Sequence, residues 1–207
     1  MIEIKNIFFD IGGVLLTNGW DSSQRARVLP RFGVDVAASD AHHEEANYKW
    51  ERGLCTAREY FDKTVFYEPR KFTFDELWPE VAAESQVLHA ECFEILAALT
   101  ATGHHQMCTL NNESRELNDH RIEAFGLKKY FTVFICSGYV GEMKPHAGIY
   151  RSALEITQAE PAQSVFIDDR ESNVQAAREQ GMHGITFVHP KQLRAELAAL
   201  GVALERI

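Results

Sequence analysis

Cysteine is scarce in this chain of 207 residues: four in all, at positions 55, 92, 108 and 136, with no C-x-x-C pair. That spacing excludes a disulfide scaffold, a zinc ribbon and a thioredoxin-like redox motif. Three of the four sit in strongly apolar stretches, so they read as reduced, buried thiols of the kind a reducing cytoplasm permits. No apolar run approaches the length needed to span a bilayer. The N-terminus passes straight into a strand pattern, without the basic region, apolar stretch and cleavage site of a secretory leader. A soluble protein of the cytoplasm, not of the membrane, is expected. Positive charge is also short, with 21 Lys and Arg against 30 Asp and Glu and a net charge of −9. The overall field therefore does not favour nucleic acid, although a local basic site for a small anion stays open. Neither a G-x-x-x-x-G-K-[ST] phosphate loop nor a G-x-S-x-G nucleophile elbow occurs.

Hydrophobic residues make up 45% and charged residues 25%, an ordinary globular mix. Five short segments read as buried strands: IKNIFF (4–9), HQMCTL (105–110), FTVFIC (131–136), SVFI (164–167) and GITFV (184–188). Helical patterns lie at 91–101, 145–157 and 172–180 and in the tail PKQLRAELAALG, with Gly103 a C-cap and Pro145 suited to a first turn. Strands alternating with helices predict an α/β fold, a doubly wound parallel sheet covered on both faces. The first strand breaks that alternation. Residues 17–90 are far longer than an ordinary crossover and read as four helical stretches dense in aromatics. A small helical bundle with an aromatic core, inserted as a cap over a site, is expected there. Tyr48, Trp50 and Arg52 are open to two readings, lining a pocket or packing it. The expected division is a core of 1–16 and 91–207 and a cap of 17–90.

In an open parallel sheet, ligands bind at the carboxyl ends of the strands. The first strand ends at Asp10, the second at Asn111 and Asn112, the third at Ser137 and Gly138 with Lys144 a few residues on, and the fourth at Asp168 and Asp169. Singly these are turn formers, caps or solvated charges. Together, three acids on one sheet edge repel unless a cation neutralises them. A hard cation with oxygen ligands does so, and Mg²⁺ characteristically takes few carboxylates and a substrate phosphate. Lys144 supplies a point charge for the same anion. The constellation points to phosphoryl transfer.

These stretches resemble the motifs of the haloacid dehalogenase (HAD)-like hydrolase superfamily, made up mostly of phosphatases. FFDIGGVL resembles the first motif, TLNNES the second, GEMKPHAGIY the third and FIDDRESNVQAAREQGM the fourth. WERGLCTAREYF is similar to a cap segment of bacterial sugar-phosphate (glucose 1-phosphate) phosphatases and of the N-terminal phosphatase half of soluble epoxide hydrolase. The resemblance implies a HAD-like Rossmannoid core and hydrolysis of a small phosphorylated metabolite. Asp10 is then the nucleophile that becomes an aspartyl-phosphate. Mg²⁺ is held by Asp10, the carbonyl of Gly12 and Asp169, with Asp168 in support. Lys144, Asn111 and Asn112 hold the phosphate.

Two positions depart from the family pattern. Gly12 stands where a second Asp normally serves as acid and base, a role typically worth ~10²–10⁴-fold. Three outcomes are open. A cap group replaces the acid, with His42, His43 and Glu44 candidates by type. Or the substrate has an acidic leaving group, such as a sugar 1-phosphate, since a sugar-1-phosphate subgroup is similar in carrying glycine there. Or the protein binds phosphate without turning it over well. The second departure is Asn111, where Ser or Thr is usual; Thr109 is an alternative donor, deeper on the same face. The rival within the fold is a 2-haloacid dehalogenase, against which Gly12 and the Asp168–Asp169 pair both argue.

Overall fold

The computed structural model describes residues 3–204; the first two and last three residues of the expected core lie outside the described residues. Five strands form: β1 (Asn6–Phe9), β2 (Gln106–Asn111), β3 (Val133–Cys136), β4 (Ser164–Asp168) and β5 (His183–Thr186). They make one all-parallel sheet in the order β3-β2-β1-β4-β5. β1 is central, pairing Phe9 with Thr109 on one side and Ile167 on the other. Such a strand is covered above and below, which is why NIFF is apolar without alternation. The two-residue pleat still sorts its side chains. Ile7 and Phe9 enter one buried cluster with Met107, Val165 and Ile167, and Phe8 enters the other with Cys108, Leu110 and Phe166. Truncating Phe8 or Phe9 to Ala is expected to cost roughly 3–5 kcal/mol.

Eleven α-helices accompany the sheet among the described residues. Five precede β2 in the long insertion: α1 (Ser22–Val28), α2 (Val36–Asp40), α3 (His43–Glu51), α4 (Ala57–Thr64) and α5 (Phe74–Ala82). Thr56 and Thr73 open α4 and α5 with reciprocal capping boxes to Glu59 and Glu76. These helices surround their own apolar cluster of Trp20, Trp50, Tyr60, Phe61 and Leu77, with Trp50 stacked on Tyr60 at 4.5 Å. Most rings of the insertion are thus packing, whereas Tyr48 and Tyr67 are exposed. The two connections to the sheet run side by side: Thr17 N donates to Gln86 O and Leu88 N to Leu15 O.

The remaining helices are α6 (Ala90–Thr102), α7 (Arg115–Ala124), α8 (Ser137–Val140), α9 (Ala147–Thr157), α10 (Glu171–Glu179) and α11 (Pro190–Ala199). Cys92, Ile95, Leu96 and Leu99 of α6 face the sheet as their spacing predicts. Gly103 caps α6 in the left-handed region. Two readings are corrected. Pro145 is not in the first turn of α9: it follows a cis peptide bond, and His146 is the N-cap. And α7 forms where no helix was expected. All four cysteines are free, three of them buried. No helix among the described residues is long and apolar enough to cross a membrane.

Candidate active site

β2 and β4 each run one residue beyond their apolar stretch, ending on Asn111 and Asp168, beside Asp10 at the end of β1. The carboxylates of Asp10, Asp168 and Asp169 offer oxygens that all lie within 4.8 Å of one another. The Lys144 ammonium sits among them, 2.9 Å from Asp10 Oδ1 and 2.7 Å from Asp168 Oδ2. Burial works against the lysine's charge, but Asp10 and Asp168 together outweigh it and hold its pKa above the ordinary value. Asp10 moves up as well. Burial is the main cause, Lys144 pulls the other way, and the charge of Asp168 adds to the rise. One lysine against three acids leaves negative charge in excess.

The three carboxylates are not equivalent. Asp168 is fully buried and already saturated: Oδ1 accepts from Arg170 N and Asn173, and Oδ2 from Lys144 and Asn173. Asp10 Oδ1 accepts from Ile11 N at 2.9 Å as well as from Lys144, whereas Oδ2 has no partner among the described residues. Asp169 is half-buried, its carboxyl raised by burial and by Asp168, and its side chain accepts no side-chain hydrogen bond among the described residues. Asp169 lies flat against Gly13. A Cβ at position 13 would stand 2.4 Å from Asp169 Oδ2, and the backbone there has φ of +75°, so glycine alone fits. Hard oxygen donors gathered around excess negative charge suit a divalent cation such as Mg²⁺.

The two asparagines do different things. Asn112 clasps the backbone of Lys144, its Oδ1 accepting from Lys144 N at 2.8 Å and its Nδ2 donating to Lys144 O at 2.9 Å. Asn111 is buried and donates to Asn118, while its Oδ1 has no partner among the described residues. Thr109 Oγ1, two residues deeper on the same strand, is likewise unpartnered.

Asp10, Asn111, Asn112 and Lys144 line the floor of a polar cavity of about 510 Å³ beneath the helical insertion. Asn18, Asp21, Arg25, His43, Asn47 and Glu51 form its upper wall. Of its three arginines, Arg170 has no acid partner among the described residues, and the other two are committed. Arg25 is paired with Asp40 at 2.6 Å, and Arg121 with Glu113 at 3.1 Å in a buried pair beside Gly12. Of the acid candidates named by type, His42 packs at a tilt against Tyr67 and, with Glu44, borders a separate surface groove. His43 reaches the cavity wall, but Arg25 and Tyr60 occupy both ring nitrogens. Trp50 packs the aromatic cluster, and Tyr48 and Arg52 line a smaller neighbouring cavity that shares Met143 and Lys144 with this one. Sequence reasoning missed Glu51 and Glu113. Each is an acid beside a motif, with no periodic signal to mark it as inward-facing.

The helical insertion is docked on the sheet. Ser137 Oγ donates to Glu51 O at 2.6 Å, and Arg52 Nε donates to Gly141 O at 2.7 Å. Glu116 of α7 accepts from Trp50 Nε1 and Ala57 N.

Comparison with known proteins agrees with this architecture. The phosphoglycolate phosphatase of Shigella boydii is 31% identical over 210 residues, 90% of this chain and 82% of that protein. Bifunctional epoxide hydrolase 2 of Rattus norvegicus is 30% identical over 117 residues. The chain spans only 31%, 21% and 35% of the length of the first three curated relatives it matches. A HAD family enzyme of Bacteroides thetaiotaomicron, crystallised with magnesium and inorganic phosphate, shares the fold at a TM-score of 0.73 and 20% identity, covering 88% of this chain and 93% of that one. The model of the haloacid dehalogenase-like hydrolases matches residues 4–181. Family model and near full-length relative together make this chain a member of the haloacid dehalogenase-like hydrolase family.

Proposed function

We propose that this protein is a Mg²⁺-dependent phosphatase of small phosphorylated metabolites, working through an aspartyl-phosphate on Asp10. The carrying observation is the meeting of Asp10, Asp168 and Asp169 within 4.8 Å around Lys144. Asp10, Asp169 and the carbonyl of Gly12 would hold the cation. Asp168, whose oxygens are engaged, orients Lys144 and supports the cation indirectly. When bound, the cation screens the carboxylates from the incoming phosphate and polarises it.

Lys144 and Ile11 N fix one oxygen of Asp10, and the other would be the attacking atom. Attack by that oxygen forms the Asp10–phosphorus bond as the ester bond to the leaving oxygen breaks. Water then attacks phosphorus, freeing Asp10 and inorganic phosphate. Lys144 carries the charge that develops on the transferring group, the preorganised kind of stabilisation that dominates most catalysis. Asn112 positions Lys144. Asn111 would offer its carboxamide to the phosphate, since reversing it and Asn118 together keeps their mutual bond and puts an NH₂ where the unpartnered Oδ1 now lies. The helical insertion, 17–90, is the cap, and 1–16 with 91–207 the catalytic core. The setting is the cytoplasm.

The cavity wall offers amides and a hydroxyl, Arg25 and Arg121 are already paired with acids, and Arg170 is left without an acid partner among the described residues. The amides suit the hydroxyls of a sugar phosphate, and the comparison with phosphoglycolate reads whether Arg170 takes a carboxylate instead. A preference for sugar 1-phosphates follows only if no acid reaches the leaving oxygen. A haloacid substrate is less well supported, because displacement at carbon leaves the excess charge of three carboxylates without a use. The test is phosphate release from glucose 1-phosphate, glucose 6-phosphate, phosphoglycolate and p-nitrophenyl phosphate, with and without Mg²⁺. Release that needs Mg²⁺ and is abolished by Asp10→Asn supports the reading. Release from none of the esters, or release unaffected by Asp10→Asn, overturns it.

A further inference from the structure

Gly12 leaves the position that would hold the acid and base without a carboxyl, but other acids line the same cavity. Beyond Asp10, the acids lining it are Asp21, Glu51 and Glu113. Asp21 is spent as the N-cap of α1. Burial pushes its pKa up, but the bonds its carboxylate accepts from Ser23 and Gln24 together outweigh that and hold it below the usual range. Glu113 is closed off, with Oε1 accepting from Ser114 N and Oε2 paired to the buried Arg121.

Glu51 differs from both. Its Oε1 accepts one bond, from Asn47 one turn earlier on α3, and its Oε2 has no partner among the described residues. The backbone beneath it is fixed. Ser137, at the end of β3, donates to its carbonyl, while Trp50 and Arg52 on either side bond Glu116 and Gly141. Ser137 and Gly141 lie on the segment that leads into Lys144, so the stretch that carries Glu51 is tied to the one that carries the lysine. The charges facing it are Glu113, Arg170 and Lys144. Burial first, then Glu113, push its carboxyl up to about 7, with Asn47, Arg170 and Lys144 opposing. A carboxyl poised near neutrality can give a proton and take one back at working pH.

Resting on the phosphatase reading, we propose that Glu51, a residue of the cap, is the general acid and base of the reaction in place of Gly12. Protonated Glu51 gives its proton to the leaving oxygen as the phosphorus–oxygen ester bond breaks and the Asp10–phosphorus bond forms. The resulting Glu51 carboxylate then takes a proton from the water whose oxygen bonds phosphorus. The Asp10–phosphorus bond breaks, and Glu51 is returned protonated. Because the acid is delivered by the cap, the site is complete only when the cap is docked.

The test compares the unaltered protein with Glu51→Gln, Asp10→Asn and the double variant Glu51→Gln with Gly12→Asp, all with Mg²⁺. Position 12 accepts a side chain: an added Cβ would meet the flexible end of Asn18 at 3.2 Å, and its φ is not in the left-handed region. On glucose 6-phosphate, Glu51→Gln should lose ~10²–10⁴-fold in kcat with KM little changed. On p-nitrophenyl phosphate, whose leaving group needs no proton, it should release a burst of about one nitrophenol per protein and then turn over slowly. Gly12→Asp should restore at least roughly tenfold of the lost kcat, a rescue that a structural role for Glu51 would not produce. Unimpaired turnover by Glu51→Gln, a loss confined to KM, or no rescue overturns the inference. If the unaltered protein is active and Asp10→Asn is dead while Glu51→Gln is unimpaired, this inference alone falls. A parent silent on every ester brings down the phosphatase reading and this inference with it.

Discussion

Asn112 holds Lys144 by the backbone from two sides, accepting from its amide N at 2.8 Å and donating to its carbonyl O at 2.9 Å. A side-chain amide that mimics a neighbouring strand in this way fixes where the lysine begins. The ammonium then lands between Asp10 and Asp168. Asn112→Leu keeps the size and removes both bonds. A shift of about 1 Å at a reacting group can cost ~10²-fold in rate. Steady-state kinetics should show kcat down by about that factor with the fold intact by circular dichroism. Undiminished kcat would show that the lysine is held by other means.

Lys144 is buried between two carboxylates, so its loss acts on stability as well as rate. Lys144→Met strands Asp10 and Asp168 without their counter-charge. Removing one partner of a buried pair typically costs ~3–5 kcal/mol, and one preorganised donor ~10²–10³ in kcat. Divalent cation should compensate the first loss but not the second. Thermal melting with and without Mg²⁺ should show a larger upward shift in the variant than in the parent. Equal shifts would mean that the lysine and the cation do not share these carboxylates.

The strands were legible because a doubly covered parallel sheet needs short, continuous apolar segments, and IKNIFF and SVFI are such segments. The acids at their ends were legible because topology alone brings strand ends together. α7 was not. Its buried face carries Asn118 and Arg121 beside Leu117 and Ile122, so the apolar periodicity that marks a helix is interrupted by polar residues serving the site and the linkers. Glu51 was illegible for a similar reason. It closes α3, whose buried residues are only Ala46 and Trp50, and nothing local says that its carboxyl faces inward. What turns it in is docking against Ser137 and Gly141, contacts across nearly ninety residues of sequence.

That docking depends on Gly53. Its backbone has φ of +65°, and a Cβ there would stand 2.0 Å from the carbonyl oxygen of Gly138. Nothing flexible can yield, because the obstacle is backbone. Gly53→Ala should lift the end of α3 from the core. Hydrogen exchange should speed up across residues 50–57, where Trp50 and Ala57 bond Glu116. Exchange protection at β1 should not change, since its bonds are to β2 and β4. Unchanged exchange at 50–57 would mean that the cap is held elsewhere.

His43 gives the cap a defined response to acid. Arg25 Nη1 lies 3.0 Å from His43 Nε2, and a guanidinium can only donate, so Nε2 must carry the lone pair. Nδ1 then carries the hydrogen and donates to Tyr60 Oη at 2.7 Å. Protonating Nε2 would set one donor against another. Burial, then the charge of Arg25, accordingly push the pKa from 6.5 down to about 4, with Asp40 opposing. Below 6.5 the unfolded chain takes a proton that the folded one refuses. The stabilisation is therefore complete above 6.5, falls as pH drops from 6.5 towards 4, and is gone below that. His43→Gln keeps an acceptor for Arg25 but cannot titrate. The stability of the parent relative to this variant, from urea unfolding at a series of pH values, should be flat above neutrality and decline across that window. A difference that stays constant, or that grows as pH falls, would show that His43 is charged in the folded protein.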